Sequence, residues 1–234
     1  MDHPIHPTTP TAHHDLTTPD ISSGRDALCH ILELARNSTN ELISAAHGTP
    51  TAACTRIRGT GPGVSFAELV CRLETDHPIN LAFPFEGSAR VGGAVWLASD
   101  LLDPGNTSAL AKLHWKSGAR DLPMHVHTRS DRFIIVLEGR GFFHVSDQGL
   151  DRFDGSSVQT VAARERDVFL FTRDVVHTFS TAEHAMTLLS AQLPFIPFDD
   201  ATQYALPEHR WTAAEHLDPA DSRVRLMPGW TSLV

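Results

Sequence analysis

A mostly β domain, an antiparallel barrel or sandwich with a helical extension on its N-terminal side, is the fold class this sequence predicts, from three observations. After Gly92, nine short apolar runs (AVWLAS, ALAKLHW, MHVH, RFIIVLEG, GFFHV, VQTVA, DVFLF, VVHTFS and MTLLSAQL) follow one another between turn formers, with no helical pattern separating them. Before them stand two capping-box signals, each followed by apolar residues at helical spacing. No segment repeats, which argues against a duplicated barrel.

The 234 residues are enough for one well-filled core. Apolar residues make up 41% and charged residues 20%, which excludes a largely disordered chain. Nineteen Lys and Arg against 28 Asp and Glu leave a net charge of −9, and no basic cluster interrupts that excess. Binding to DNA or RNA, which needs basic residues to neutralise phosphates, is therefore not expected. No stretch approaches the roughly 20 apolar residues of a membrane helix, and the start, MDHPIHPTTP, lacks the basic end and apolar run of a secretory signal. A cytoplasmic protein without a membrane partner is expected. Cys29, Cys54 and Cys71 form no C-x-x-C pair, and three is an odd number, so reduced cysteines are expected.

Residues 1–21, rich in Pro, Thr, His and Asp, read as a disordered tail whose His3, His6, His13 and His14 are solvated. Residues 22–94 read as a helical extension with the first strands. Ser23 and Asp26 open a helix with Leu28, Ile31, Leu32 and Ala35 on one face; Asn37, Ser38 and Asn40 weaken its middle, so one kinked helix or two short ones are expected, stopped by Gly48 and Pro50. Ser65 and Glu68 cap a second helix carrying Phe66, Leu69, Val70 and Leu73, which should end before Pro78. Residues 95–195 form the barrel. Residues 196–234 are an irregular, Pro-rich C-terminal extension with one helical turn expected near Trp211 to His216.

His125 and His127 stand two apart in a strand, and a period of two puts both imidazoles on one face, as a chelating pair requires. The surrounding stretch, from Gly118 through HVHTRSDRFIIVLEGRG to Gly141, resembles the first motif of the cupin superfamily, in which H-x-H is followed by a Glu and a Gly ends the next strand. His125, His127 and Gly139 match it. The second cupin motif, a G-D strand, a Pro-x-Gly turn and a His, is similar to Arg166-Asp167 through Asp174 and His177, of which Asp167, the apolar strand and His177 match well. The resemblance covers residues 95 to 193. It implies a double-stranded β-helix, the cupin jelly-roll barrel, with His125, His127 and His177 around one divalent metal.

Counted from Gly139, the family's metal-binding Glu falls on Arg132, whose guanidinium has no lone pair for a cation. Asp131 is the alternative fourth ligand, although a one-residue offset on a strand turns a side chain to the other face. Three neutral imidazoles keep the metal's double charge and leave positions open. Among cupins such a set is similar to that of three-histidine dioxygenases, gentisate-type enzymes loosely included, which use Fe(II). The resemblance thus implies an Fe(II) oxygenase acting on a small molecule. Zn, Mn, Ni and Cu are the other candidate metals. The alternatives are a non-catalytic small-molecule-binding or regulatory barrel, and a Zn- or Mn-dependent lyase, isomerase or hydrolase. Arg132 is expected to turn inward, paired either with Asp131 outside the pocket or with an acidic substrate. His114, Phe142 and His144, on flanking strands, are candidates for the pocket wall, and Trp115, Phe169 and Phe171 for core. Tyr204, the only tyrosine, lies beyond the barrel segment. The resemblance also implies a homodimer.

Overall fold

A computed structural model describes residues 21–45, 52–60, 63–85, 87–97, 109–194, 196–197 and 200–214. The expected tail and its four histidines lie outside the described residues, Ile21 apart, as do residues 215–234.

Helix α1 spans Gly24–Ala45 and α2 Phe66–Asp76. Both boxes form. Ser23 N donates to Asp26 Oδ2 at 2.9 Å while Asp26 N donates to Ser23 Oγ at 3.1 Å. Ser65 N donates to Glu68 Oε2 at 2.6 Å and Glu68 N to Ser65 Oγ at 3.2 Å, and α2 stops before Pro78. Helix α1 runs unbroken through Asn37 and Asn40, a correction to two short helices. Its buried Ala27, Leu28, Ile31 and Ala35 hold it against α2 and the barrel, and packing of that kind outweighs weak local propensity.

Eight strands follow or flank the helices: β1 (Ala52–Arg56), β2 (Val91–Leu97), β3 (Ala109–Trp115), β4 (Asp131–Ser146), β5 (Gln159–Arg164), β6 (Asp167–Phe171), β7 (Val176–Ser180) and β8 (Met186–Leu193). Strand β1, which falls among the first strands expected within residues 22–94 but was not placed individually, pairs antiparallel with β6, Ala52 opposite Phe171. The two runs RFIIVLEG and GFFHV are one strand, β4. Its first half lies in a sheet of order β1-β6-β4-β8-β3-β2, and its second half pairs with β5 and β7. A bulge between Val136 and Glu138 and the left-handed backbone at Gly139 (φ 77°) carry the strand from one sheet to the other. The bulge also exchanges the faces. Ile134 and Val136 point into the barrel before it, Phe143 and Val145 after it, and they meet Phe169, Phe171, Phe179 and Leu188 there.

Two further clusters cover the outside. Ile135, Leu137, Val168 and Leu189 pack under α1 and α2, while Met124, Val126, Phe153 and Val176 pack under the segment carrying Ala205 and Trp211. Trp211 to Ala214 form no helical turn, and Met124 to His127 no ladder strand: His125 bridges His177 and Val126 bridges Ala205 singly. Among the described residues no helix is long and apolar enough to cross a membrane.

Among the described residues two non-glycines have positive φ, Arg166 at 75° and Asp174 at 67°. They are the two positions aligned with glycines of the second cupin motif. The turn geometry has been kept where the residue type has not. A side chain there costs about 1–2 kcal/mol, part of which glycine's larger unfolded-state entropy cancels. Arg166→Gly is expected to stabilise by on the order of 0.5–1 kcal/mol, read as a melting temperature raised by about 1–4 °C.

Candidate metal centre

His177 is the second residue of β7, opposite Val145 of β4, and shares that residue's inward face. Antiparallel backbone bonds tie it to His125: His125 N donates to His177 O at 3.0 Å and His177 N to His125 O at 2.9 Å. The extended backbone from 125 to 127 brings His127 to the same side. One ring nitrogen from each of the three lies within 4.8 Å of the others, and all three residues are buried. The ring centroids are 4.9, 4.5 and 5.1 Å apart.

All three histidines thus meet on the inner face of a barrel whose β4 is shared by two sets of strands. The fold is that of the cupins. No protein-family model and no curated protein matches the sequence. Among solved structures the cupin barrel here is similar to a polyketide cyclase from Streptomyces resistomycificus, at 17% identity over 49% of this chain and 73% of that one, TM-score 0.39. It is similar to an oxalate decarboxylase from Lactobacillus farciminis at 15% identity, over 50% of this chain and 32% of that one, TM-score 0.38. A cupin-like protein from Thermotoga maritima is similar at 16% identity, over 50% of this chain and 80% of that one, TM-score 0.36. The chain spans about a third of the decarboxylase's length. At these scores the likenesses add nothing to what the strand order and the histidines show.

The hydrogen bonds suit the histidines to a metal. His125 Nδ1 lies 3.0 Å from Pro123 O and His177 Nδ1 2.8 Å from Val175 O. A carbonyl can only accept, so each Nδ1 carries the proton and each Nε2 keeps its lone pair. Burial pushes the His125 imidazole down to about 4, opposed by its bond to Pro123 and aided by the Arg132 charge. Burial, then neighbouring His125, Arg132 and His177, hold His127 well below the usual histidine value; burial and His125 do the same to His177. All three rings are neutral near pH 7, the state that ligates. Among the described residues no carboxylate joins the group.

Arg132 of β4 is inward and 3% exposed, across from Gln192 of β8 and Phe171 of β6. Its Nη2 is 2.7 Å from His127 Nδ1. Asp131, by the same alternation, points outward, where Oδ1 accepts from Arg173 N at 2.8 Å and Nε at 3.3 Å. Among the described residues it does not join the three histidines. The three wall candidates also face away, a correction that strand parity explains. His114 shares the face of Lys112, which pairs with Glu74 of α2, and sits 3.0 Å from Thr187 Oγ1. The bulge in β4 turns Phe142 and His144 outward. His144 is buried between Thr160 Oγ1 at 2.9 Å and Ser180 Oγ at 2.7 Å, with the Trp211 ring 4.9 Å away, and burial lowers it to about 3.

The cavity at the histidines is instead walled by Trp115, Ile134, Phe179, Ser190, Gln192 and Gln203. Its volume is about 30 Å³, room for an ion and one or two waters. Leu122 borders both this cavity and an open cleft of about 930 Å³ that Tyr204 and Trp211 help line. Tyr204, set aside as lying beyond the barrel, has its ring 5.7 Å from that of His125. Ser190 and Gln192 were legible as polar residues two apart within MTLLSAQL. Gln203 had no such signal: it arrives from an irregular segment 76 residues from His127.

Proposed function

We propose that the chain is a mononuclear metal-dependent cupin enzyme, an Fe(II) oxygenase acting on a small acidic organic molecule. The observation that carries this reading is a set of three buried imidazoles faced by an inward guanidinium, with no carboxylate grouped with them among the described residues. Fe(II) held by His125, His127 and His177 would keep its full double charge and present open positions to substrate and dioxygen.

The chain's own residues do the rest. The planar fork of Arg132 suits a carboxylate and orients it beside the histidines. Ile134 and Phe179, with Leu113, supply the apolar part of the cavity wall. The cavity accepts only the reacting end of a substrate, and the cleft beyond Leu122 is of the size that holds an organic body.

The test is oxygen consumption by tag-free protein loaded anaerobically with Fe(II) and offered a panel of small carboxylic acids. Uptake that depends on one acid and on iron is expected. Equal turnover with Zn(II) and no oxygen would replace this reading with a lyase or hydrolase. Thermal stabilisation by an acid without turnover would replace it with a binding barrel.

A further inference from the structure

His127 Nδ1 has two neighbours of opposite character. The Gln203 carbonyl, 3.0 Å away, can only accept a proton; the Arg132 guanidinium, 2.7 Å away, can only donate one. One nitrogen cannot satisfy both. With the proton on Nε2, Nδ1 accepts from Arg132 and the ring has no lone pair to give to a metal. With the proton on Nδ1, it goes to Gln203 O, Nε2 is ready to ligate, and Arg132 faces an N–H it cannot use. The exchange moves one proton from Nε2 to Nδ1 of the same ring and releases none.

A second observation shows where Arg132 is wanted. Trp115 and Gln203 line this cavity, 2% and 0% exposed, and Trp115 Nε1 and both amide atoms of Gln203 are buried without a hydrogen-bond partner among the described residues. Unmet buried donors are costly, and Arg132 lines the same cavity as these two, a combination suited to an anion. We propose that His127, Arg132 and Gln203 act as a metal-operated latch: metal at His127 breaks the Arg132 contact and delivers the guanidinium, with Trp115 Nε1 and the Gln203 carboxamide, to a carboxylate. The inference rests on the metal-centre reading above and adds to it that metal and carboxylate bind cooperatively. Because coupling is reciprocal, formate should tighten metal binding by the factor by which metal tightens formate.

Zinc as a redox-silent metal and formate as the carboxylate test this by calorimetry. In the wild type, saturating formate should raise zinc affinity at least tenfold. In Arg132→Met zinc alone should bind more tightly than to the wild type, and formate should add little. Trp115→Phe should weaken formate binding to the zinc form several-fold. Histidine ¹⁵N spectra, with His127 assigned by its loss in His127→Asn, read the latch in the unmutated chain: Nδ1 unprotonated without zinc, protonated with it. Equal formate enhancement in the wild type and Arg132→Met would show formate acting as a metal ligand alone and would overturn the latch, as would a His127 tautomer unchanged by zinc. Failure of the wild type to bind zinc or any other divalent ion would remove the metal centre itself, and the latch with it.

Discussion

Gly139→Ala is expected to leave little folded protein. The residue sits where β4 passes between sheets, and its φ of 77° already disfavours any side chain. A Cβ there would stand 2.1 Å from Ala185 O and 3.0 Å from Ala185 C, both backbone atoms of the paired strand end. Neither can move without parting the Gly139–Met186 pairing that joins β4 to β8. Backbone overlap added to a strained dihedral costs several kcal/mol, a large part of the roughly 5–15 kcal/mol that holds a domain together. Soluble yield and the denaturant midpoint check it. Gly149→Ala is the matched control: no atom lies within 4 Å of a Cβ there and its φ is ordinary, so its midpoint should stay near the wild type's. Equal midpoints for the two variants would mean that β4 does not turn at Gly139.

Arg132→Glu is the second large effect. A guanidinium about 6 Å from a dication, at an effective dielectric of about 20, is repelled by roughly 5 kcal/mol. A carboxylate at the same place reverses the sign and restores the fourth ligand of the first cupin motif. Metal affinity should rise by several orders of magnitude, while binding of small carboxylates should be lost. Titrating both ligands into the two proteins checks both halves. Unchanged values for both would mean that the metal, if bound, is elsewhere than beside Arg132.

The parts of this site that the sequence carried are those set by short-range periodicity. His125 and His127 are two apart, His177 lies in an apolar strand, and Arg132 shares parity with Ile134 and Val136, so alternation alone puts them inward. Alternation failed at the bulge. One extra residue between Val136 and Glu138 exchanges the faces of β4, which is why Phe142 and His144 read as wall but lie outside. Strand β1 could not be placed within residues 22–94 because AACTR has one β-branched residue and is held by its pairing with β6 rather than by its own propensity. Gln203 and Tyr204 were out of reach for a different reason. Their place depends on where an irregular segment crosses the barrel, and no local pattern encodes that. The second motif was more intact than its letters suggested, since Arg166 and Asp174 keep the left-handed turns that glycine adopts more cheaply.

The measurement that bears most directly on the metal centre is divalent metal per chain, by elemental analysis of tag-free protein, for the wild type, for His177→Ala and for a variant with His3, His6, His13 and His14 all replaced by Ala. About one ion per chain is expected in the wild type and the four-histidine variant. His177→Ala should lose most of it while keeping the β circular dichroism of a folded barrel. Full occupancy in folded His177→Ala, or a wild type that takes up no divalent ion even after reconstitution, would contradict a metal held by His125, His127 and His177.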